Sequence, residues 1–247
     1  MLVVDPRAEW TTTEVAIQGV RDLGYASPNM LGYYPRVLER RCDDIARPAG
    51  GALAGLLCKQ DRTYGPWHDI NQRGMGLQRR LLPAVEIDEE DVFQLGRAGL
   101  NVIRPGPAGR ARLVGAITMG RGSEAHRKFA QLPVRRFCLQ IVSAIASAAK
   151  WAVFEYGDRD LARRICAQVT TYFHCLNDLG AFADDRFVVE CDAGVSKRHD
   201  GDEHGVTILL VFHPLACDEP VSLTLHLTAA GCRVGSTAFA PTVENCG

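Results

Sequence analysis

Apolar residues recur along this chain in two rhythms, one of three to four residues and one of two. The longer rhythm predicts helices. Over Thr11 to Leu23, Val15, Ile17 and Val20 supply the apolar side, Thr11–Thr13 can cap the start, and Glu14 follows Thr11 by three. Pro133 to Lys150 has Phe137, Ile141 and Ile145 four apart, widened by Val134, Cys138, Val142 and Ala149. Asp160 to Leu179 carries Leu161, Ile165, Val169, Tyr172, Leu176 and Leu179 on one face, with Gly180 as its stop. Pro48 to Asp61 and a short segment from a capping Asp88 to Leu95 complete the predicted helices.

The shorter rhythm predicts strands at Leu2–Asp5, Pro83–Ile87, Phe187–Cys191 and Val221–Thr228. In Val221–Thr228, Val221, Leu223, Leu225 and Leu227 alternate with Ser222, Thr224, His226 and Thr228. Val206–Phe212 is apolar apart from Thr207, as expected of a strand covered on both faces. Leu31–Leu38 contains Pro35 and reads as an edge or interrupted strand. Leu100–Arg104 and Ala111–Thr118, joined through Pro105–Gly109, read as a hairpin, and Gly65–Gly76 as a loop. Trp151–Glu155 reads as a strand, which with the next helix and Phe187–Cys191 makes a parallel βαβ unit. The fold class is α/β or α+β: one mixed β-sheet flanked by helices over residues 1–228, and an extended C-terminal arm over 229–247.

Composition narrows the classes. The 247 residues are 47% hydrophobic and 23% charged, enough for a sizeable core and against wholesale disorder. The 28 Lys and Arg against 29 Asp and Glu leave a net charge of -1, which disfavours nucleic acid as a partner. A membrane partner is not expected: the longest apolar stretch, Phe137 to Phe154, is interrupted by Gln140, Ser143, Ser147 and Lys150. The first ten residues have no secretory core, so folding in the cytoplasm is expected. The nine cysteines include no CxxC pair and read mainly as buried thiols, with Cys232 and Cys246 set apart in a weakly packed tail.

Candidate chemistry is thin. Gly50–Gly55 lacks the spacing of a dinucleotide loop, and no phosphate-loop motif occurs. Cys191, His199, His204, His213 and Cys217 could supply zinc ligands, but their spacing fits no familiar finger, and Lys197–His204 reads as a solvated loop. Glu89/Glu90 and Asp184/Asp185 read as caps or turn residues. No nucleophile elbow is present, so no catalytic residue, metal or cofactor is assigned. The alternatives kept open are an independent enzyme such as a cysteine hydrolase and a zinc-stabilised interaction domain. Arg127, Lys128, Arg135 and Arg136 cluster at the start of the strongest helix and could meet an acidic partner surface.

Eight segments, in order, resemble the sheath proteins of contractile tails. Ser27–Val37 contains a Leu-Gly-Tyr-Tyr-Pro strand, Arg47–Arg62 an Ala-Gly helix ending in Asp-Arg, and Gly65–His68 a Gly-Pro-Trp-His turn. Ala98–Arg104, Val114–Thr118, Leu132–Phe137, Trp151–Glu155 and Phe187–Asp192 continue the series. The resemblance implies a structural subunit of a phage tail, pyocin or secretion-type injection system, with no enzymatic role. It implies a homo-oligomeric, hexameric ring around a tail tube, next to sheath or neck proteins, assembled in the host cytoplasm and resident in the virion tail. The chain starts almost at the domain's first strand, so a short version lacking the N-terminal arm and outer domain is expected, as a collar or terminal ring. Sheath rings link by strand exchange, and Val221, Leu223, Leu225 and Leu227 with the following residues are the candidate donated arm. The basic cluster would then face the tube or neighbouring subunits, and Cys42, Cys232 or Cys246 could cross-link subunits once outside the cell.

Overall fold

A computed structural model describes residues 1–24, 26–40, 42, 44–71, 75–120, 128–154, 159–198, 201–228 and 231–235. The chain divides into two compact units, Met1–Arg136 and Phe137–Gly247, the boundary falling one turn into a helix. Its class is the expected mixture of helices and sheets.

The first unit is built on a four-stranded sheet in the order β1 (Leu2–Val4), β2 (Met30–Tyr34), β5 (Leu100–Pro105), β6 (Ala111–Val114). β1, β2 and β5 run parallel, and β6 returns antiparallel as the second arm of the expected hairpin. Helices α1 (Thr13–Asp22), α2 (Gly50–Tyr64) and α3 (Glu89–Arg97) flank it. The two-residue alternation of β2 sorts its side chains between two cores. Leu31 and Tyr33 join Leu53 and Leu57 of α2, while Tyr34 joins Ala16 of α1 and Leu95 of α3. Burial pushes the phenols of both tyrosines up, Tyr34 to about 12, and Tyr33 donates its hydroxyl to the Gly115 carbonyl at 3.2 Å. Thr12 caps α1 and Asp88 caps α3, each side chain accepting from a backbone N–H three residues on.

Pro35 interrupts rather than edges its strand. β2 lies between two partners; the chain turns at a cis Tyr34–Pro35 bond and resumes as β3 (Val37–Glu39), paired antiparallel with β4 (Leu81–Pro83) in a separate two-stranded sheet. Asn101, 1% exposed in β5, braces the hairpin, donating to the Gly32 and Ile117 carbonyls and accepting from the Ile117 N–H. Gly115 at φ +88° makes room, since a Cβ there would lie 2.8 Å from the Asn101 side-chain oxygen.

The second unit begins in α4 (Leu132–Ala148) and holds α5 (Arg159–Asp178) and an antiparallel meander. Its strands are β7 (Phe182–Arg198), β8 (Gly201–Pro214), β9 (Val221–Thr228) and β10 (Gly231–Val234), in the order β10-β9-β8-β7. Five rings, Phe137, Phe173, Phe182, Phe187 and Phe212, interlock about Phe173 with centroids 5.4–5.9 Å apart. By length and composition Leu132–Trp151 could cross a membrane, at mean hydropathy 1.2, but half of it is buried within the protein.

Several expectations fail here. Ala149–Phe154 is a 3₁₀ turn continuing α4, not a strand, and Glu155 lies outside the described residues. Its aromatic and β-branched residues suit a strand, but no turn residue separates them from the helix. The Trp151 ring instead receives the Arg164 guanidinium at 4.6 Å. The parallel βαβ unit therefore does not form, and there are two four-stranded sheets rather than one. Within the expected loop Lys197–His204, Lys197 and Arg198 belong to β7 and Gly201–His204 to β8, with Arg198 paired to Gly201, while residues 199–200 lie outside the described set. Asp184 and Asp185 lie within β7, beside a shift in register between Phe182 and Phe187. On β8 the even positions Val206, Ile208, Leu210 and Phe212 are buried, whereas Leu209 and Val211 are half-exposed, so one face is open in the single chain. Of the segment expected as an arm, residues 231–234 pair with β9, and residues 229–230 and 236–247 lie outside the described set.

Candidate functional site

The basic cluster at the start of α4 turns inward. Arg135 is 6% exposed; its Nε and Nη2 donate to the Asn29 side-chain oxygen at 2.9 and 2.7 Å, and its guanidinium lies 5.1 Å from the Phe129 ring centre. Asn29 is itself set by a turn in which its N–H donates to Ser27 Oγ. Arg136 places Nη2 at 2.6 Å from both Asp61 carboxylate oxygens and reaches the Leu57 carbonyl, while Nη1 approaches Gln60. Burial pushes the Asp61 carboxyl up, and Arg136 pulls it back only in part. The two guanidinium groups thus clamp the first turn of α4 to the approach to β2 and to α2. Lys128 is half-buried, and Arg127 lies outside the described residues.

The strand predicted as the donated arm is an interior strand. Val221, Leu223, Leu225 and Leu227 are buried, and β9 is hydrogen-bonded to β8 on one side and β10 on the other. Donating it would open the sheet. Among the described residues, the open edges of that sheet belong to β7 and β10. Beside the β7 edge lies a groove of about 780 Å³ lined by Phe187, Val188, Val211 and Phe212, with His174, Asp184, Arg186 and His213 at its polar rim. His213 bridges its rim: Nδ1 lies 3.4 Å from Asp184 and Nε2 lies 2.8 Å from the Cys217 carbonyl. The Arg186 N–H and His213 hold the Asp184 carboxyl below its usual value. A second groove, about 960 Å³, runs between α1 and α3. There Phe93, 64% exposed under the Arg97 guanidinium, and Val15 form an apolar strip between Glu14, Glu90 and Arg21.

The remaining candidates disperse. Gly50 opens α2, where its N–H donates to Asp5 Oδ1 at 2.8 Å, so a carboxylate of the chain already occupies that helix start. Glu89 pairs with Arg104. Among the described residues no three His, Cys, Asp or Glu side chains gather as metal ligands, and His199 lies outside them. None of the eight described cysteines is joined in a disulfide. Only Cys138 is buried; Cys42, Cys58 and Cys175 are exposed, and Cys232 is half-buried in β10 with its thiol pushed up by burial. Cys246 lies outside the described residues. The Arg135–Asn29 and Arg136–Asp61 clamps leave no local signal in the sequence, since their partners lie 106 and 75 positions apart.

No protein-family model matches the sequence, and no curated protein does. The fold, however, matches solved structures along most of its length. One is the PVC sheath complex of an extracellular contractile injection system in the contracted state, at TM-score 0.64 and 21% identity over 83% of this chain and 58% of that one. The contracted helical sheath of the anti-feeding prophage matches at 0.61 and 19% identity, over 90% and 67%. A sheath tail protein of Desulfitobacterium hafniense matches at 0.59 and 16% identity, over 87% and 52%. The chain therefore has the fold of contractile sheath proteins. It spans 58% of the chain matched in the PVC sheath complex and 52% of the chain matched in the baseplate of the anti-feeding prophage.

Proposed function

We propose that this chain is a structural, non-catalytic sheath-like subunit that assembles with copies of itself into a six-fold ring around the tube of a contractile tail or injection particle. The observation that carries the reading is the sheath fold itself, matched over 83% of the chain at TM-score 0.64. A six-fold symmetrised baseplate of the anti-feeding prophage also contains this fold, matching at 0.63, which favours a six-fold arrangement. The ring is placed at an end of the sheath, as a collar or terminal ring joining it to the neck. Residues 1–228 form its body and residues 229–247 its arm.

Subunits join at the sheet edges left open. Among the described strands β7 has a free edge for a neighbour's strand, and the exposed Val188 and half-exposed Leu209 and Val211 lie on the outer face beside it. Exposed Cys42 remains available for a cross-link between subunits.

Negative-stain electron microscopy of the protein, alone and mixed with its tail tube, tests the reading. Rings, or decoration at one tube end, are expected, and continuous decoration would replace the terminal ring with a sheath body. A monomer that ignores the tube would overturn the assembly reading.

A further inference from the structure

Helix α5 and strand β7 bring two cysteines into register. The Phe173 ring of α5 lies 5.4 Å from that of Phe187 on β7. Moving back along the helix from Phe173 to Cys166 covers about 10 Å at 1.5 Å per residue. Moving on along the strand from Phe187 to Cys191 covers about 13 Å at 3.3 Å per residue. The two elements thus arrive together, and the Cys166 sulfur lies 3.7 Å from the Val189 carbonyl. Val189 and Cys191 share one face of the strand with Phe187. The Cys166 thiol is close enough to help burial raise the Cys191 thiol well above its usual value. Both cysteines are free and half-buried, neither sealed in the aromatic core nor fully exposed.

We propose that Cys166 and Cys191 form a redox couple that closes to an intrachain disulfide, stapling α5 to the edge strand β7, when the protein meets a small-molecule disulfide such as oxidised glutathione. The Cys166 thiolate attacks one glutathione sulfur, the glutathione S–S bond breaks, and one glutathione thiolate leaves. Cys191 then attacks the mixed disulfide at the Cys166 sulfur, its proton passing to the second departing glutathione. Two protein thiols are oxidised and one glutathione disulfide is reduced to two thiols. Cys166 makes the first attack because burial holds the Cys191 thiol protonated in the reduced protein; within the mixed disulfide the neighbouring Cys191 gives up that proton as it attacks, to the glutathione that leaves. In a reducing cytoplasm the couple stays open, and it closes outside. The staple lies within one chain, so it stands or falls independently of ring assembly.

The test incubates the whole protein with oxidised glutathione, blocks remaining thiols with N-ethylmaleimide, and maps unreduced peptides by mass spectrometry. A linked peptide pair containing Cys166 and Cys191 is expected, with the intact chain lighter by two hydrogens and the change reversed by dithiothreitol. C191S should halt at a glutathione adduct on Cys166, and C166S should lose the linked pair. Thermal melting of the wild type should rise on oxidation, and that of either serine variant should not. Recovery of both cysteines as maleimide adducts, or linkage of either to a different cysteine, overturns the proposal. The wild-type peptide map decides even if a variant fails to fold.

Discussion

Arg136 is 11% exposed and faces Asp61, whose side chain is 40% exposed, and the pair behaves as a half-buried clamp rather than a surface ion pair. Burial holds the Asp61 carboxyl above its ordinary value despite the guanidinium. The folded state therefore binds more protons than the unfolded chain between the two values. The stability this group contributes is fully present below the unfolded value and is lost as pH rises through the folded one. R136M removes the compensating cation and raises the carboxyl further. It should cost about 1–2 kcal/mol at neutral pH, limited by solvent around Asp61, and steepen the loss on leaving acid. D61N in the R136M background should recover most of that loss. Urea midpoints in mild acid and at neutral pH check both; an equal loss at the two pH values would mean that Arg136 acts through packing alone.

Elements show the same dependence on distant partners. α5 was legible because its stripe of Leu161, Ile165, Val169 and Leu176 repeats locally, and all four are buried. The stretch after α4 has the residue types of a strand yet continues as a 3₁₀ turn, because strand propensity is weak against a helix that simply runs on. The sheet of the second unit depends on the rings around Phe173, which is fully buried. F173A should destabilise that unit by about 3–5 kcal/mol through lost transfer energy and a cavity, read as a lower thermal midpoint of the protein. A loss below about 1 kcal/mol would mean that the neighbouring rings collapse into the space.

For the whole molecule, assembly should be separable from folding. Val188, 44% exposed on the outer face of β7, lies beside the open sheet edge and outside the aromatic core. V188K should leave stability within about 0.5 kcal/mol of the wild type, since Val188 is an exposed position whose replacement keeps an apolar stem. It should nevertheless abolish or sharply weaken ring formation in sedimentation velocity and electron microscopy. Rings that form as readily as those of the wild type would move the contact elsewhere, with the groove between α1 and α3 and its exposed Phe93 as the next surface to probe.

The order of helices, the β5–β6 hairpin, the capping of α1 and α3 and the resemblance to sheath proteins could all be read along the chain. Each rests on spacing or residue types within a few positions, where periodicity and capping chemistry act. The partition into two sheets, the inward turn of Arg135 and Arg136, the interior place of β9 and the meeting of Cys166 with Cys191 could not. Each depends on which distant segment fills the other side: Asn29 lies 106 positions from Arg135, and Val189 lies 23 from Cys166. A basic cluster reads alike whether its counter-charges are solvent or a buried carboxylate, and an alternating strand reads alike at the edge or the centre of a sheet. Only folding, by choosing which groups lose water together, separates those cases.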